Sequence, residues 1–559
     1  MLRIPFDPFE IISTFFQIQE YWMVKETDLF NEKLNGLLTE LEEEEEGRRE
    51  LMKAAAQAAA DTGSQDLSAP PDDKEKVLQQ VRIATQAARK RYASVSRWLR
   101  RLVEDMPPSP ELAKSRAVFW VDQVIHALAP ANYFWTNPRA VQLFFESGGE
   151  TMQRGAFHLL EDFRSGELLP SLADKTAFEP GVNIATTPGS VVYRNDLMEL
   201  IQYDPAARKV FATPVLLIPP WINKYYILDL NEQASLVRYL TGRGFNVFMI
   251  SWKNPGEDMR DMDFADYLFE GVMQSVQAAR EISRARQVHA AGYCIGGTAL
   301  ACLMAWAAGQ KGQSPFADWT LFAGLVDFSD PGEIGVFISE RSFRFLEFMA
   351  QRDGYLDSKY INAAFRLLRP NALLWPSYVQ NYLCGGSPPK SDVFFWNGDG
   401  TRLPQAMCSF YLKEFYLENN LARGNLSVSG KPLDLMSIRE PLYVVASEQD
   451  HISPWKSVYK IAGLVKCTVR LALPNEGHIT GVVNPPSEYS RRVFRLNDVS
   501  PGLTPEQWLE VSPEYQGSWW PDWVSWLTQR SGTQKKARPA GSAKYPQLDP
   551  APGRYVLEK

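Results

Sequence analysis

No stretch of this sequence approaches the roughly 20 consecutive apolar residues that a membrane-spanning helix needs, so no transmembrane segment is expected. A surplus of positive charge is also missing: 59 Lys and Arg face 66 Asp and Glu, a formal net charge of −7. No basic face stands out, and nucleic acid is not an expected partner. Cysteine is scarce. The five present, Cys294, Cys302, Cys384, Cys408 and Cys467, include no CxxC pair and no disulfide framework, which implies a reducing, cytoplasmic setting. The opening residues Met1-Leu-Arg-Ile-Pro-Phe-Asp-Pro-Phe-Glu10 place acids and prolines where a secretion signal needs a basic and then a purely apolar run, so no leader is expected. Histidine is equally rare, at five residues, and that makes elimination practical.

What is present fits a globular chain of more than one domain: 559 residues, 45% apolar and 12% aromatic. Residues 8 to 41 carry apolar side chains at near-helical spacing, from Phe9, Ile12 and Phe15 through Tyr21, Trp22 and Val24 to Leu41. They predict an amphipathic helix or helix pair, packed on the protein or docked on a hydrophobic surface. Glu42 to Glu46 form an acidic run, and the polar, proline-containing stretch from about 60 to 75 reads as a flexible linker. Helical periodicity returns over Val77–Val103, Phe119–Leu128 and Ala140–Phe163. Residues 1–175 are therefore expected to be a helical region without evident chemistry. Residues 176–559 alternate strands with helix-length segments, the pattern of a parallel sheet covered on both faces. The expected strands are Val191–Tyr193, Val215–Ile218, Val247–Ile250, Val288–Ala291, Thr320–Ala323, Leu442–Ala446 and Val469–Leu473. Between about 330 and 440 this rhythm fails in an aromatic-rich insertion, expected to be a cap over the site. From Lys535 onward the chain reads as loop.

The stretch Val288-His-Ala-Ala-Gly-Tyr-Cys-Ile-Gly-Gly-Thr298 carries the chemistry. An apolar strand, a tight turn holding Cys294 and a following helix make a nucleophile elbow with cysteine in place of serine. Flanking glycines remove side chains that would collide there, and the helix N-terminus favours a thiolate. A thiol needs a base, and the base needs an orienting carboxylate. His126 and His158 lie in the helical region and His289 lies inside a strand, leaving His451 and His478. His478 follows the strand Val469–Leu473, and Asp450 follows Leu442–Ala446. Nucleophile, acid, base is the chain order of an α/β-hydrolase triad. Cys294 is assigned as nucleophile, His478 as general base and then acid, and Asp450 as the group holding the imidazole. Glu448 is the rival acid. His451 is the rival base, but its position next to Asp450 favours a pocket-lining or structural role. The oxyanion hole should use the Ile295 N–H and a second donor near Trp221 or Ile222, after the strand Val215–Ile218. Acyl transfer from a thioester to a thiol is nearly thermoneutral, so a cysteine elbow suits making esters from acyl-CoA better than cleaving them.

Gly292-Tyr-Cys-Ile-Gly-Gly297, Pro219-Pro-Trp-Ile-Asn-Lys-Tyr-Tyr-Ile-Leu-Asp229, Asp450-His-Ile-Ser-Pro-Trp455, Gly477-His-Ile-Thr-Gly-Val-Val-Asn-Pro-Pro486 and Gly517-Ser-Trp-Trp-Pro-Asp-Trp523 together resemble the polyhydroxyalkanoate synthases, best the short-chain, single-subunit type. The resemblance runs from about Phe119 to the end of the sequence. It implies an α/β-hydrolase fold with a cap and the joining of (R)-3-hydroxyacyl-CoA monomers into polyester with release of CoA. It also implies catalytic roles for Cys294, Asp450 and His478, and a substrate-side role for His451. Homodimers, residence on polyester granules in the cytoplasm and contact with phasin-type granule proteins are implied too. No cofactor or metal is expected, CoA being only the leaving group. Two residues depart from the family pattern: Ala372 stands where Asp is common, and Ser391 where a larger apolar residue is usual. Both fall in the expected cap. A thioesterase or lipase-like hydrolase on the same fold, and an idle granule scaffold, are the competing readings.

Overall fold

The computed structural model describes residues 8–21, 26–43, 73–107 and 114–559. Residues 60–72 of the expected linker, Glu44 to Glu46, Trp22 and Val24 lie outside the described residues. The chain forms two compact units, Met1–Asp174 with Ala363–Pro389, and Lys175–Asn362 with Lys390–Lys559.

The first unit is helical. Helices Pro8–Glu20, 27–43, Asp73–Glu104 and Lys114–Ala127 bury Leu102, Val103, Ala117, Val121 and Ile125 against Phe15, Ile18 and Trp98. The periodic segment Ala140–Phe163 becomes two helices, Pro138–Glu146 and Glu150–Arg164. The break falls at Gly148 and Gly149, which both take positive φ (61 and 93). Residues 363–389, within the segment expected to be cap, pack in this unit: Tyr382 donates to Asp162 Oδ2 (2.7 Å) and Arg366 to the Pro170 carbonyl (2.7 Å).

The second unit is built on one eleven-stranded sheet. Its strands are β1 Gly189–Arg194, β2 Met198–Tyr203, β3 Val215–Ile218, β4 Val247–Trp252, β5 Val288–Tyr293 and β6 Phe316–Phe322. They continue as β7 Leu442–Val445, β8 Val469–Pro474, β9 Val493–Asp498, β10 Glu514–Gln516 and β11 Asp549–Pro550. The spatial order is β10-β9-β8-β7-β6-β5-β3-β4-β2-β1-β11. The six central strands are parallel, as the buried apolar runs predict. Both flanks are antiparallel, so the sheet is mixed rather than parallel throughout. The last expected strand is not the last one present, because β9 and β10 extend the edge. The stretch after Lys535 is not all loop either. Gln534–Lys536 pairs with Lys209–Phe211, and β11 joins the sheet at β1.

Candidate active site

β5 ends at Tyr293 and a helix, Ile295–Ala308, begins two residues later. Cys294 is the single residue between them, at φ 53, ψ −121. A non-glycine residue in that region stores backbone strain, which persists only where its surroundings fix it. Here the Cys294 N–H donates to Phe322 of β6 (2.8 Å), and its carbonyl accepts from Gly297 (2.9 Å) and Thr298 (3.2 Å). The helix starts earlier than the sequence suggests, so Gly296 and Gly297 form its first turn. Their smallness has a measurable reason: a Cβ on Gly296 would lie 2.4 Å from the Ile218 carbonyl oxygen. Glycine thus lets the loop leaving β3 press against the elbow.

Asp450 sits in the turn after β7 with its carboxylate buried. Oδ1 accepts from the N–H groups of Ile452 and Ser453, both at 2.8 Å, and Oδ2 lies 2.6 Å from His478 Nδ1. Glu448 is exposed, its backbone N–H bonded to Pro474 (2.9 Å), and it is Asp450 that meets the imidazole. His478 opens a short helix, His478–Val482, after β8. Trp519 and Trp520 anchor this helix by donating indole N–H to the carbonyls of Gly481 (2.7 Å) and Val482 (3.0 Å). A Cβ on Gly481 would fall 1.9 Å from Ser447 Oγ, so only glycine lets the His478 helix close on the loop that leads to Asp450. Tyr293 stacks on the imidazole, with ring centroids 5.5 Å apart at 26°, and its hydroxyl donates to the His478 carbonyl (3.3 Å).

The Cys294 sulfur bears electrostatically on the same imidazole. Burial opposes protonation of this imidazole, but the Asp450 carboxylate, the Cys294 sulfur and hydrogen bonds to both outweigh it, holding its pKa well above the usual value. An imidazole oriented by a carboxylate at one nitrogen can, where a thiol comes within reach of the other, pass a proton to and from sulfur.

Ile295 opens the helix, and its N–H has no intrahelical acceptor. Trp221 and Ile222 lie in the loop after β3, and among the described residues neither backbone N–H donates to a protein acceptor. Their carbonyls are committed, receiving the Thr401 hydroxyl and N–H respectively. His451 is half-buried beside Asp450, and its carbonyl accepts from the Glu333 N–H (2.9 Å). His289 is buried at the far end of β5, with Nδ1 2.7 Å from Asp318 and Nε2 2.9 Å from Ser531. Among the described residues no cluster of three or more His, Cys, Asp or Glu could hold a metal ion.

Residues 78–240 match the family profile described as poly-beta-hydroxybutyrate polymerase (PhaC) N-terminus, and residues 213–485 match that of the alpha/beta hydrolase fold. The chain is 41% identical over 456 residues to the poly(3-hydroxyalkanoate) polymerase subunit PhaC of Cupriavidus necator, covering 80% of this chain and 76% of that protein. It is 39% identical over 470 residues to the poly(3-hydroxyalkanoate) polymerase of Methylorubrum extorquens, covering 84% and 77%. Poly(3-hydroxyalkanoate) polymerase 2 of Ectopseudomonas oleovorans is 38% identical over 447 residues, covering 80% and 79%. The chain belongs to the poly(3-hydroxyalkanoate) polymerase family. As a member of this family it is an enzyme, an acyltransferase on an α/β-hydrolase fold.

Two further features belong to this polymerase-family site. The first, from the insertion that the sequence marked as aromatic-rich, is an aromatic wall. Tyr411 packs on Phe415 (4.8 Å), Tyr416 (5.9 Å) and Trp221 (6.0 Å), while Phe264 stacks on Phe410 at 5.2 Å. Burial first, then Tyr416 and Cys294, push the Tyr411 hydroxyl far toward its neutral form. The neighbouring Thr298 hydroxyl is committed to the Leu325 carbonyl (2.7 Å). The second is a groove of about 530 Å³ flanking the His478 helix, with Ile227, Asp392, Glu476, Thr480, Arg491 and Arg492 in its lining. Of the two departures from the family pattern, Ser391 caps the helix Asp392–Gly398 by accepting from the Phe394 N–H (3.3 Å), and Ala372 is exposed.

Proposed function

We propose that this enzyme polymerises short-chain (R)-3-hydroxyacyl-CoA thioesters, with Cys294 as nucleophile, His478 as base and acid, and Asp450 as the orienting carboxylate. The observation that carries this reading is the imidazole of His478, 2.6 Å from Asp450 Oδ2, with Cys294 on its strained elbow at the head of the following helix. His478 takes the Sγ proton, and the thiolate attacks the thioester carbonyl carbon. The oxyanion is held by the Ile295 N–H and a second amide at Trp221 or Ile222. As the carbon–sulfur bond to CoA breaks, the imidazolium returns its proton to the departing thiolate. An acyl-cysteine remains.

The 3-hydroxyl of a second monomer or of the chain end then gives its proton to His478 and attacks the acyl-cysteine. An ester bond forms and the Cys294 thiolate is released. CoA is only a leaving group, and the scheme draws on no cofactor or metal. Water competes at the second step, and the aromatic wall around Tyr411 and Phe415 is suited to exclude it. His451 lies at the rim of the Asp450 turn as a substrate-side residue. A homodimer in the cytoplasm, at the surface of its own polyester granule and in reach of phasin-type proteins, completes the proposal. Among the described residues no helix is long and apolar enough to cross a membrane.

The test is CoA release from (R)-3-hydroxybutyryl-CoA with the acyl product analysed in the same tube. High-mass, chloroform-soluble polyester is expected. Free 3-hydroxybutyrate in equal amount to CoA would replace this reading with a thioesterase.

A further inference from the structure

A lysine lies buried in the loop that carries the second oxyanion donor. Lys224 is 2% exposed. Its ammonium donates to two backbone carbonyls from far along the chain, Glu558 (2.8 Å) and Tyr555 (3.3 Å). Burial lowers its pKa, with Asp399 opposing that shift. A buried ammonium bonded to neutral carbonyls is a weak source of stability, because desolvation offsets much of what the hydrogen bonds return. Its placement calls for another role.

The segment that meets Lys224 is itself fixed. Glu199 of β2 is fully buried and accepts the N–H groups of Arg554 (2.9 Å) and Tyr555 (3.1 Å), while Arg194 donates to its other oxygen (2.6 Å). Gly553, at φ +83, runs so close that a Cβ would stand 2.3 Å from Glu199 Oε2. The Tyr555 hydroxyl donates to the Asn195 carbonyl (2.7 Å), and Val556 is buried in the core. From the other side, the Trp396 indole donates to the Lys224 carbonyl (2.7 Å) and the Tyr226 hydroxyl to Asp399 (2.7 Å). The loop 219–226 is thus held between two supports, and its upstream end lies against Gly296 at the elbow.

We infer that residues 553–559, acting through Lys224, are a positioning latch that sets the oxyanion loop against Cys294, an assignment that rests on the acyl-transfer reading above. Displacing the loop by even a fraction of an ångström moves the second donor off the oxyanion, a defect felt in turnover more than in binding. Lys224→Met, and a chain ending at Pro552, are therefore expected to lower kcat for CoA release by about 10- to 100-fold with KM little changed. Both should remain folded by circular dichroism at the assay temperature. Lys224→Arg, which keeps a donor, should recover part of the lost kcat. A kcat for Lys224→Met equal to wild type, or a loss that only tracks the unfolded fraction, would overturn the latch. Cys294→Ala run alongside separates the two claims: activity surviving in Cys294→Ala sinks the acyl-transfer reading, whatever Lys224 does.

Discussion

One sheet carries two histidine–carboxylate pairs, one at each end of β5. At one end His289 lies 2.7 Å from Asp318 and 2.9 Å from the Ser531 hydroxyl; at the other His478 lies 2.6 Å from Asp450, and the Cys294 sulfur bears electrostatically on it. By residue type each set offers a carboxylate, a histidine and a hydroxyl or thiol. They differ in what surrounds the nucleophilic atom. The Ser531 hydroxyl lies past the end of the helix Trp520–Thr528 and also donates to the Leu527 carbonyl (2.7 Å). Ser531 is also fully buried. Cys294 stands on a strained turn at φ 53, at a helix N-terminus, beside a loop with uncommitted amides. A histidine–carboxylate pair beside a hydroxyl is a packing solution; on the proposed reading, backbone strain and free amide donors are what distinguish the catalytic one.

The comparison breaks most sharply by mutation. Cys294→Ala should abolish CoA release, and Asp450→Asn should lower it by roughly 10³- to 10⁴-fold, as loss of the orienting carboxylate does in such triads. Steady-state assays on folded protein check both. His289→Gln should show the reverse pattern. Activity per folded molecule stays within a few-fold of wild type, while stability falls by about 3 kcal/mol because Asp318 keeps a buried, unpaired charge; a denaturant titration measures it.

The smallest effect is in pH dependence. The folded-state pKa of His478 is raised above its unfolded value. Its contribution to stability is therefore complete below the unfolded pKa, near 6.5, and is lost as pH rises through the folded value. The stability advantage of wild type over Asp450→Asn should accordingly shrink as pH rises. An advantage that grows with pH would contradict the assignment.

The sequence showed much of this. Seven apolar runs marked the parallel strands and β1, because strands buried on both faces cannot hide their composition. The elbow was legible from Gly292 to Gly297, and chain order brought Asp450 and His478 forward. His289 was set aside because a strand residue points into packing, and it lies buried between Asp318 and Ser531. The other flanking strands were missed because polar residues interrupt them: β2 buries Glu199 and Gln202 among its apolar residues, and β11 contains a proline. The support of the oxyanion loop was beyond local reading, as Lys224 meets carbonyls 331 and 334 residues away. Nothing in a buried lysine's neighbours in sequence announces such partners. The tyrosines at 411 and 416 look like core until the fold carries them to the sulfur.

The most direct test of the central claim is to quench wild-type enzyme during turnover of (R)-3-hydroxybutyryl-CoA and map acylated peptides by mass spectrometry. The account predicts one or more 3-hydroxybutyryl units on the peptide bearing Cys294, absent in Cys294→Ala, and none on Ser531. Polymer formation with Cys294 unmodified throughout, or acyl groups on another residue, would contradict it.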